Sequence, residues 1–128
     1  MTELQAKYGS SLIFVFGSNL AGRHGKGAAQ WARQHYKACS GKGYGPCGRS
    51  YAIPTKDHKL QTLPLDQIQT WVNEFKRYAS INPHLLFYVT RVGCGLAGYT
   101  DSDIEPLFQG SPSNCIFTWG SDYIDKVI

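Results

Sequence analysis

The sequence LLFYVTRVGCGLAGYTDSD, Leu85–Asp103, joins a strongly apolar run to a loop that holds three glycines and two carboxylates. The apolar run, Leu85–Thr90, is rich in aromatic and β-branched residues, which is typical of a strand buried on both faces. Gly93, Gly95 and Gly98 follow it closely. Such a loop is either a tight turn that needs small residues or a wall whose backbone amides contact a ligand.

The rest of the chain repeats this alternation of strand and helix. Three other apolar runs predict strands, at Leu12–Phe16, Ser50–Pro54 and Cys115–Trp119. Helical patterns separate them, at Gly27–Ala38, Leu65–Ala79 and, as a short helix with Pro106 in its first turn, Asp103–Phe108. Strands alternating with helices predict an α/β fold of three layers, α/β/α, with a mostly parallel central sheet.

Composition limits the classes of protein that fit. With 128 residues, 42% hydrophobic and 17% charged, the sequence predicts one ordered domain spanning residues 1–128. Neither a signal-peptide pattern nor a membrane-length apolar run is seen, so a soluble, cytoplasmic protein without membrane contact is expected. The net charge of +4 favours an anionic ligand such as a phosphate. It falls well short of the basic stripe of a dedicated nucleic-acid-binding protein, so nucleic acid is an unlikely partner.

The four cysteines, at positions 39, 47, 94 and 115, form no C-x-x-C pair. Metal sites usually show tighter spacing, so no metal and no cofactor is predicted. Reduced structural thiols are the expectation.

The loop after the first strand, GSNLAGRHGKGAA, is also rich in glycine. In open α/β sheets ligands bind at the carboxyl ends of the strands, so this loop and the Gly93 loop should share one site. The loop is not a P-loop, because Arg23 and His24 stand where Lys and Ser/Thr are required. Asn19 either holds the turn or binds a hydroxyl-rich ligand. His24 is expected to be an exposed loop histidine without a role, or a group that orients the ligand or acts as acid or base.

Lys56 and Asp57 directly follow the second strand. They are either a surface salt bridge or plain solvated charges, or Lys56 is an amine nucleophile or phosphate contact. In the opening loop, Cys94 is expected to be a small buried residue. Tyr99 either stacks on a ligand ring or packs on the core. Asp101 and Asp103 either begin the short helix or provide a general acid or base.

Taken together, these segments resemble a macro domain, the ADP-ribose-binding α/β module. The pattern is most similar to the branch that removes terminal ADP-ribose from proteins, and to small macro-like proteins of bacteria and phages. RHGKGAAQWARQHY resembles the family's glycine-rich loop entering its first long helix, and IFTW its closing strand. SYAIPTK resembles the strand that carries the catalytic lysine, and VTRVGCGLAGY resembles the Arg-Ile-Gly-Cys-Gly-Leu-Asp segment that wraps the phosphates.

The resemblance implies roles for individual residues. Lys56 falls on the catalytic lysine. Because the position of the family's aspartate is Ala97 here, Asp101 or Asp103, from the same loop, or Asp57, beside Lys56, are the candidates for the assisting carboxylate. The implied ligand-binding residues are Asn19, Gly25, Gly27, Gly93, Cys94, Gly95, Leu96, Ala97, Gly98 and Tyr99. The implied partner is ADP-ribose or an ADP-ribosylated substrate.

Two positions depart from the family pattern. Ala97 replaces the aspartate that follows Gly-Cys-Gly-Leu, and Lys26 stands near the position where another branch carries an aspartate. We therefore expect ADP-ribose binding, with hydrolysis of an ADP-ribosyl linkage as the leading hypothesis. A non-catalytic ADP-ribose-binding module is the alternative, and RNA binding ranks last.

Overall fold

The computed structural model of the chain describes residues 6–25, 27–95 and 97–117. The described strands are β1 (Leu12–Asn19), β2 (Gly45–Cys47), β3 (Ser50–Lys56), β4 (Leu86–Val89) and β5 (Cys115–Phe117). The described α-helices are α1 (Gly27–His35), α2 (Leu65–Ser80) and α3 (Asp101–Ile104). Two 3-10 turns, Gly9–Ser11 and Glu105–Phe108, lie before β1 and after α3.

The strands of the described residues form a sheet in the order β2-β3-β1-β4-β5. β1 is parallel to both β3 and β4, and β4 is parallel to β5. Only β2 runs antiparallel, against β3. The prediction of a mostly parallel sheet is confirmed, and the carboxyl ends of β3, β1 and β4 lie side by side.

The alternation of side chains along β1 explains the three layers. Leu12, Phe14 and Phe16 belong to the apolar cluster beneath α1, and Ile13 and Val15 belong to the cluster beneath α2. Because successive side chains of a strand point to opposite faces, an unbroken apolar run requires a cover on each side. The predicted α/β/α arrangement is therefore confirmed.

Helix α2 follows the sequence pattern closely. Its predicted apolar face is buried at Ile68, Val72, Phe75 and Ala79, each fully covered. It begins after the extended Pro64 and ends at Ser80, one residue beyond the prediction. Burial of Phe75 alone stabilises the fold by about 2 kcal/mol.

The other two helices differ from prediction at their ends. α1 ends at His35 and not at Ala38, because Lys37 takes a left-handed conformation with φ of 59°. α3 begins at Asp101 and not at Asp103, because Thr100 caps it through a capping box with Asp103. Pro106 then lies at the start of a 3-10 turn, where its missing amide costs nothing.

Strand β2 was not predicted, since Gly45–Cys47 is too short and too mixed to show a pattern. The nearby Cys39 and Cys47 form a disulfide, with their Cα atoms 6.0 Å apart. The expectation of reduced thiols is wrong for this pair, while Cys94 and Cys115 are free. The Pro46 carbonyl of β2 accepts a hydrogen bond of 2.7 Å from Lys42 Nζ.

Two strands run further than predicted and carry residues of interest with them. β1 reaches Asn19 and β3 reaches Lys56, and these two residues are paired in the sheet register. β4 is one residue shorter at each end than its predicted span. β5 is seen to Phe117, and the predicted residues Thr118 and Trp119 lie outside the described residues. Among the described helices, none has the length and apolar character to cross a bilayer.

Candidate functional site

A cavity of about 760 Å³ opens at the carboxyl ends of β1, β3 and β4. β1 and β3 contribute their last residues and the segments that follow them, and β4 contributes the loop that follows it. The β1 segment contributes Gly17, Ser18, Asn19, Arg23, Gly25, Gly27, Ala28 and Ala29. The β3 segment contributes Thr55, Lys56 and Leu60, and the β4 segment contributes Thr90, Arg91, Gly93, Cys94, Gly95 and Ala97. The cavity therefore lies where the topology of a parallel sheet favours a ligand.

The first wall is held in shape by Asn19. Its Nδ2 donates to the Arg23 carbonyl and its Oδ1 accepts from the Arg23 amide, both at 2.9 Å. These two bonds close the turn, which is the structural role considered for this side chain. Gly25 and Gly27 line the cavity beyond the turn, and a Cβ on either would meet open space.

A second loop supports this wall from behind. The Gly41 amide donates to the Gly22 carbonyl at 2.9 Å, and a Cβ on Gly22 would lie only 2.3 Å from the Gly41 carbonyl carbon. The Ser18 hydroxyl donates to the Gly43 carbonyl. The wall thus depends on the segment that carries the Cys39–Cys47 disulfide.

His24 is buried, with 3% of its surface exposed, so the expectation of an exposed loop histidine is wrong. Its ring packs edge-on against Phe16, with the ring centres 5.2 Å apart. Burial, followed by the charge of Arg33, lowers the pKa of His24. A backbone contact with Lys42 raises the pKa and so opposes this shift. The contact does not reach hydrogen-bond geometry, and neither ring nitrogen has a hydrogen-bond partner among the described residues. The loop after β1 therefore buries a neutral imidazole that does not line the cavity.

Lys56 lies at the end of β3 and lines the cavity. Within the described residues its amine forms no ion pair. Asp57 Oδ1 instead accepts from the amides of Lys59 and Gln61, at 2.8 and 3.0 Å. The surface pair of Lys56 with Asp57 is therefore not formed, and Asp57 organises the following turn.

The glycine loop after β4 forms the opposite wall. Gly93 has φ of 76°, and a Cβ there would lie 3.0 Å from Ile104 Cδ1, so both conformation and space require glycine. A Cβ on Gly17 would lie 3.2 Å from the Gly93 nitrogen, which shows how closely β1 and this loop approach. In the described part of the chain, the Gly93 and Gly95 amides donate to no protein acceptor. They are free donors at the cavity.

Arg91 and Asp101 join the two ends of this loop. Arg91 Nε donates to Asp101 Oδ1 at 2.8 Å, and this hydrogen bond from Arg91 lowers the pKa of Asp101. Burial, followed by a hydrogen bond with Asp101, raises the pKa of Cys94 to about 11. The raised pKa disfavours the thiolate form of this half-buried thiol.

Three further predicted residues, Gly98, Tyr99 and Asp103, are not among the described residues that line the cavity. Asp103 accepts from the Thr100 amide and hydroxyl, at 3.0 and 2.9 Å, and so serves the cap of α3. The Tyr99 hydroxyl donates to the Leu63 carbonyl at 2.7 Å, and its ring packs on the core below α2. The Gly98 amide closes a turn onto the Gly95 carbonyl at 3.0 Å. Leu96 and Lys26 lie outside the described residues.

The cavity is positively charged. Arg23, Lys56 and Arg91 line it, and no carboxylate does so among the described lining residues. The predicted catalytic residues Asp101 and Asp103 are both absent from this lining. Three cations and free backbone amides suit an anionic ligand, although Asp101 offsets part of the charge of Arg91.

Sequence reasoning gave no role to several lining residues, notably Thr55, Leu60, Thr90 and Arg91. Each lies at or just after the end of a strand. Position relative to the strands was therefore the available signal for Thr55, Leu60 and Thr90, whereas Arg91 also begins the segment that resembles the family's phosphate loop.

The fold is that of a macrodomain. The macrodomain of Mycobacterium tuberculosis DarG matches it with a TM-score of 0.62, over 82% of this chain and 86% of that one, at 22% sequence identity. No family model and no curated protein sequence matches the chain. The predicted macro-like fold is therefore confirmed by structure, in the absence of a match from sequence.

Proposed function

We propose that the cavity binds ADP-ribose, either free or as the ADP-ribosyl group of a modified protein or small conjugate. The observation that carries the proposal is a macrodomain fold whose cavity joins free backbone amides to three cations. The resemblance of the sequence loops to those of macro domains points to the same ligand.

Charge and size both suit this ligand. A diphosphate carries negative charge that the Gly93 and Gly95 amides, Arg23 and Arg91 can stabilise together. The first turn of α1 adds further amides at the opposite wall, where helix geometry leaves them without partners. The volume of about 760 Å³ lies within the range of roughly 300–1,000 Å³ typical of small-molecule sites.

Hydrolysis of the ADP-ribosyl linkage is the activity that Lys56 supports. In this reaction the Lys56 amine attacks the anomeric carbon of the distal ribose or stabilises the departing group electrostatically. In the covalent form, the neutral Lys56 amine forms a C–N bond to the anomeric carbon as the bond to the carrier breaks, and its proton passes to the departing group. Water then cleaves this C–N bond, which gives ADP-ribose and returns the free amine. An amine free of ion pairs at the cavity suits either role.

A binding module without turnover is the second candidate, and the carboxylates favour it. Ala97 stands at the position of the family's catalytic aspartate. Asp103 caps α3, and Asp101 is held by Arg91. No described carboxylate is thus available at the cavity lining to assist Lys56.

Calorimetry with ADP-ribose, ADP, AMP and NAD tests the ligand. We expect ADP-ribose to bind more tightly than the other three. Absence of ADP-ribose binding at millimolar concentration would refute the proposal.

Release of ADP-ribose from an ADP-ribosylated protein tests the activity. The Lys56→Ala variant should lose turnover, whereas Lys59→Ala, three residues further along, should keep it. Full activity in Lys56→Ala would remove the lysine from the mechanism. Binding without turnover by the unsubstituted chain would select the binding module.

A further inference from the structure

Leu60 has an unusual backbone conformation for its side chain. Its φ is 64°, in the left-handed region that glycine and asparagine occupy readily and bulky residues rarely do. A leucine in this conformation is strained, and strained residues that persist often lie at functional sites.

The turn around Leu60 does not need a leucine. The Asp57 carboxylate accepts from the Lys59 and Gln61 amides, the Leu60 amide donates to the Asp57 carbonyl at 3.1 Å, and the Asp57 amide donates to the Gln61 carbonyl at 2.8 Å. All of these bonds involve the backbone of the turn and the Asp57 side chain. Glycine at position 60 would preserve every one of them without the strain.

Packing within the protein does not account for the leucine either. The Leu60 side chain is 39% exposed and belongs to neither apolar cluster of the core. It does line the cavity. A bridge between Lys56 and Thr62 closes the base of the same turn, so Leu60 lies near Lys56.

We propose that Leu60 is a specificity-determining residue, whose side chain packs against the distal ribose of bound ADP-ribose. This inference rests on the proposed function, in which Lys56 acts on that ribose. An exposed apolar side chain gains stability when a ligand covers it. The fold tolerates the backbone strain at position 60, and a contact with the ligand explains why a leucine stands there.

Leu60→Gly separates this role from a structural one. A structural role predicts a lower unfolding midpoint and an unchanged affinity for ADP-ribose, and the proposed role predicts the reverse. The variant should unfold at a midpoint no lower than that of the unsubstituted chain, since the strain is relieved. It should bind ADP-ribose on the order of three- to ten-fold more weakly. It should bind ADP, which lacks the distal ribose, with unchanged affinity. Leu60→Ala should lose the same affinity for ADP-ribose, but its backbone stays strained, because alanine lacks the conformational freedom of glycine.

Lys37→Gly is the matched control. Lys37 is the other non-glycine residue with a left-handed backbone among the described residues, and it does not line the cavity. Its replacement should relieve strain and leave ADP-ribose affinity unchanged.

Two results would overturn the proposal. One is Leu60→Gly binding ADP-ribose as tightly as the unsubstituted chain. The other is an equal loss for ADP-ribose and ADP, which would remove the distal ribose from the contact. Failure of the unsubstituted chain to bind ADP-ribose would instead refute the proposed function, and this proposal with it.

Discussion

His24 shows how a single buried side chain can make stability depend on pH. The charge of an imidazole is costly to bury, so the folded state keeps His24 neutral and its pKa lies below that of an unfolded chain. Above pH of about 6.5 both states are neutral and the folded state keeps its full stability. As the pH falls through this value, the unfolded state gains the proton first and stability is lost.

We therefore predict that the urea midpoint decreases between about pH 7 and pH 5.5, the range just below the ordinary histidine pKa. His24→Leu should remove much of this decrease and stabilise the protein by about 1 kcal/mol, because it removes two buried polar atoms without partners. His84→Gln, at an exposed position, is the control and should keep the wild-type slope. An unchanged slope in His24→Leu would contradict the assignment.

At this scale the sequence predicted where the site residues would lie better than what they would do. Lys56 and Gly93 follow strands, and strand ends could be located from apolar runs. The burial of His24 and the pairing of Asp101 with Arg91 depend on how the loops fold over the sheet. Side-chain roles of that kind arise from contacts between distant segments, which one sequence does not reveal.

The element that sequence missed, β2, is also the one held by a covalent bond. Its three residues include a glycine and a proline, and both are unfavourable in strands, so no propensity signal exists. The longer elements could be predicted because apolar periodicity fixes them, as the buried face of α2 illustrates. Short elements take their conformation from their neighbours, here β3 and the Cys39–Cys47 disulfide.

We predict that reducing this disulfide destabilises the protein by about 2.5 kcal/mol, from the loop-closure entropy of a short loop. Urea unfolding with and without dithiothreitol measures the change, and a Cys39→Ser, Cys47→Ser double variant should be insensitive to the reductant. Alkylation of the denatured chain should label two thiols before reduction and four after it, since two of the four cysteines are paired. Four labelled thiols before reduction would contradict the prediction.

Viewed as a whole, the molecule assembles its cavity from three segments that are far apart in sequence. They meet because β3, β1 and β4 are parallel neighbours. This convergence could be predicted from strand order and the general behaviour of α/β sheets. The positive charge of the cavity could not be predicted in this way, because it depends on which carboxylates the folded loops place outside the cavity lining.

Hydrogen exchange tests this assembly directly. ADP-ribose should slow amide exchange together in residues 17–25, 56–60 and 90–95. Binding should also raise the unfolding free energy, by about 2.7 kcal/mol at a ligand concentration one hundred times Kd. Helix α2 lies against the sheet away from the cavity lining, so its exchange should slow only through this global term. Protection confined to one of the three segments would contradict a shared site.

The outer edge of β2 has a consequence for how the protein behaves when concentrated. Gly45, Pro46 and Cys47 all lie in register with β3, and because ladder hydrogen bonds alternate along an antiparallel pair, the backbone groups of the middle residue, Pro46, face outward. Pro46 has no amide hydrogen, and Lys42 already occupies its carbonyl. A strand from another molecule finds no donor there, and an acceptor that Lys42 already engages. This edge is therefore a poor template for the strand-by-strand addition that leads to fibrils, because of one ring and one amine.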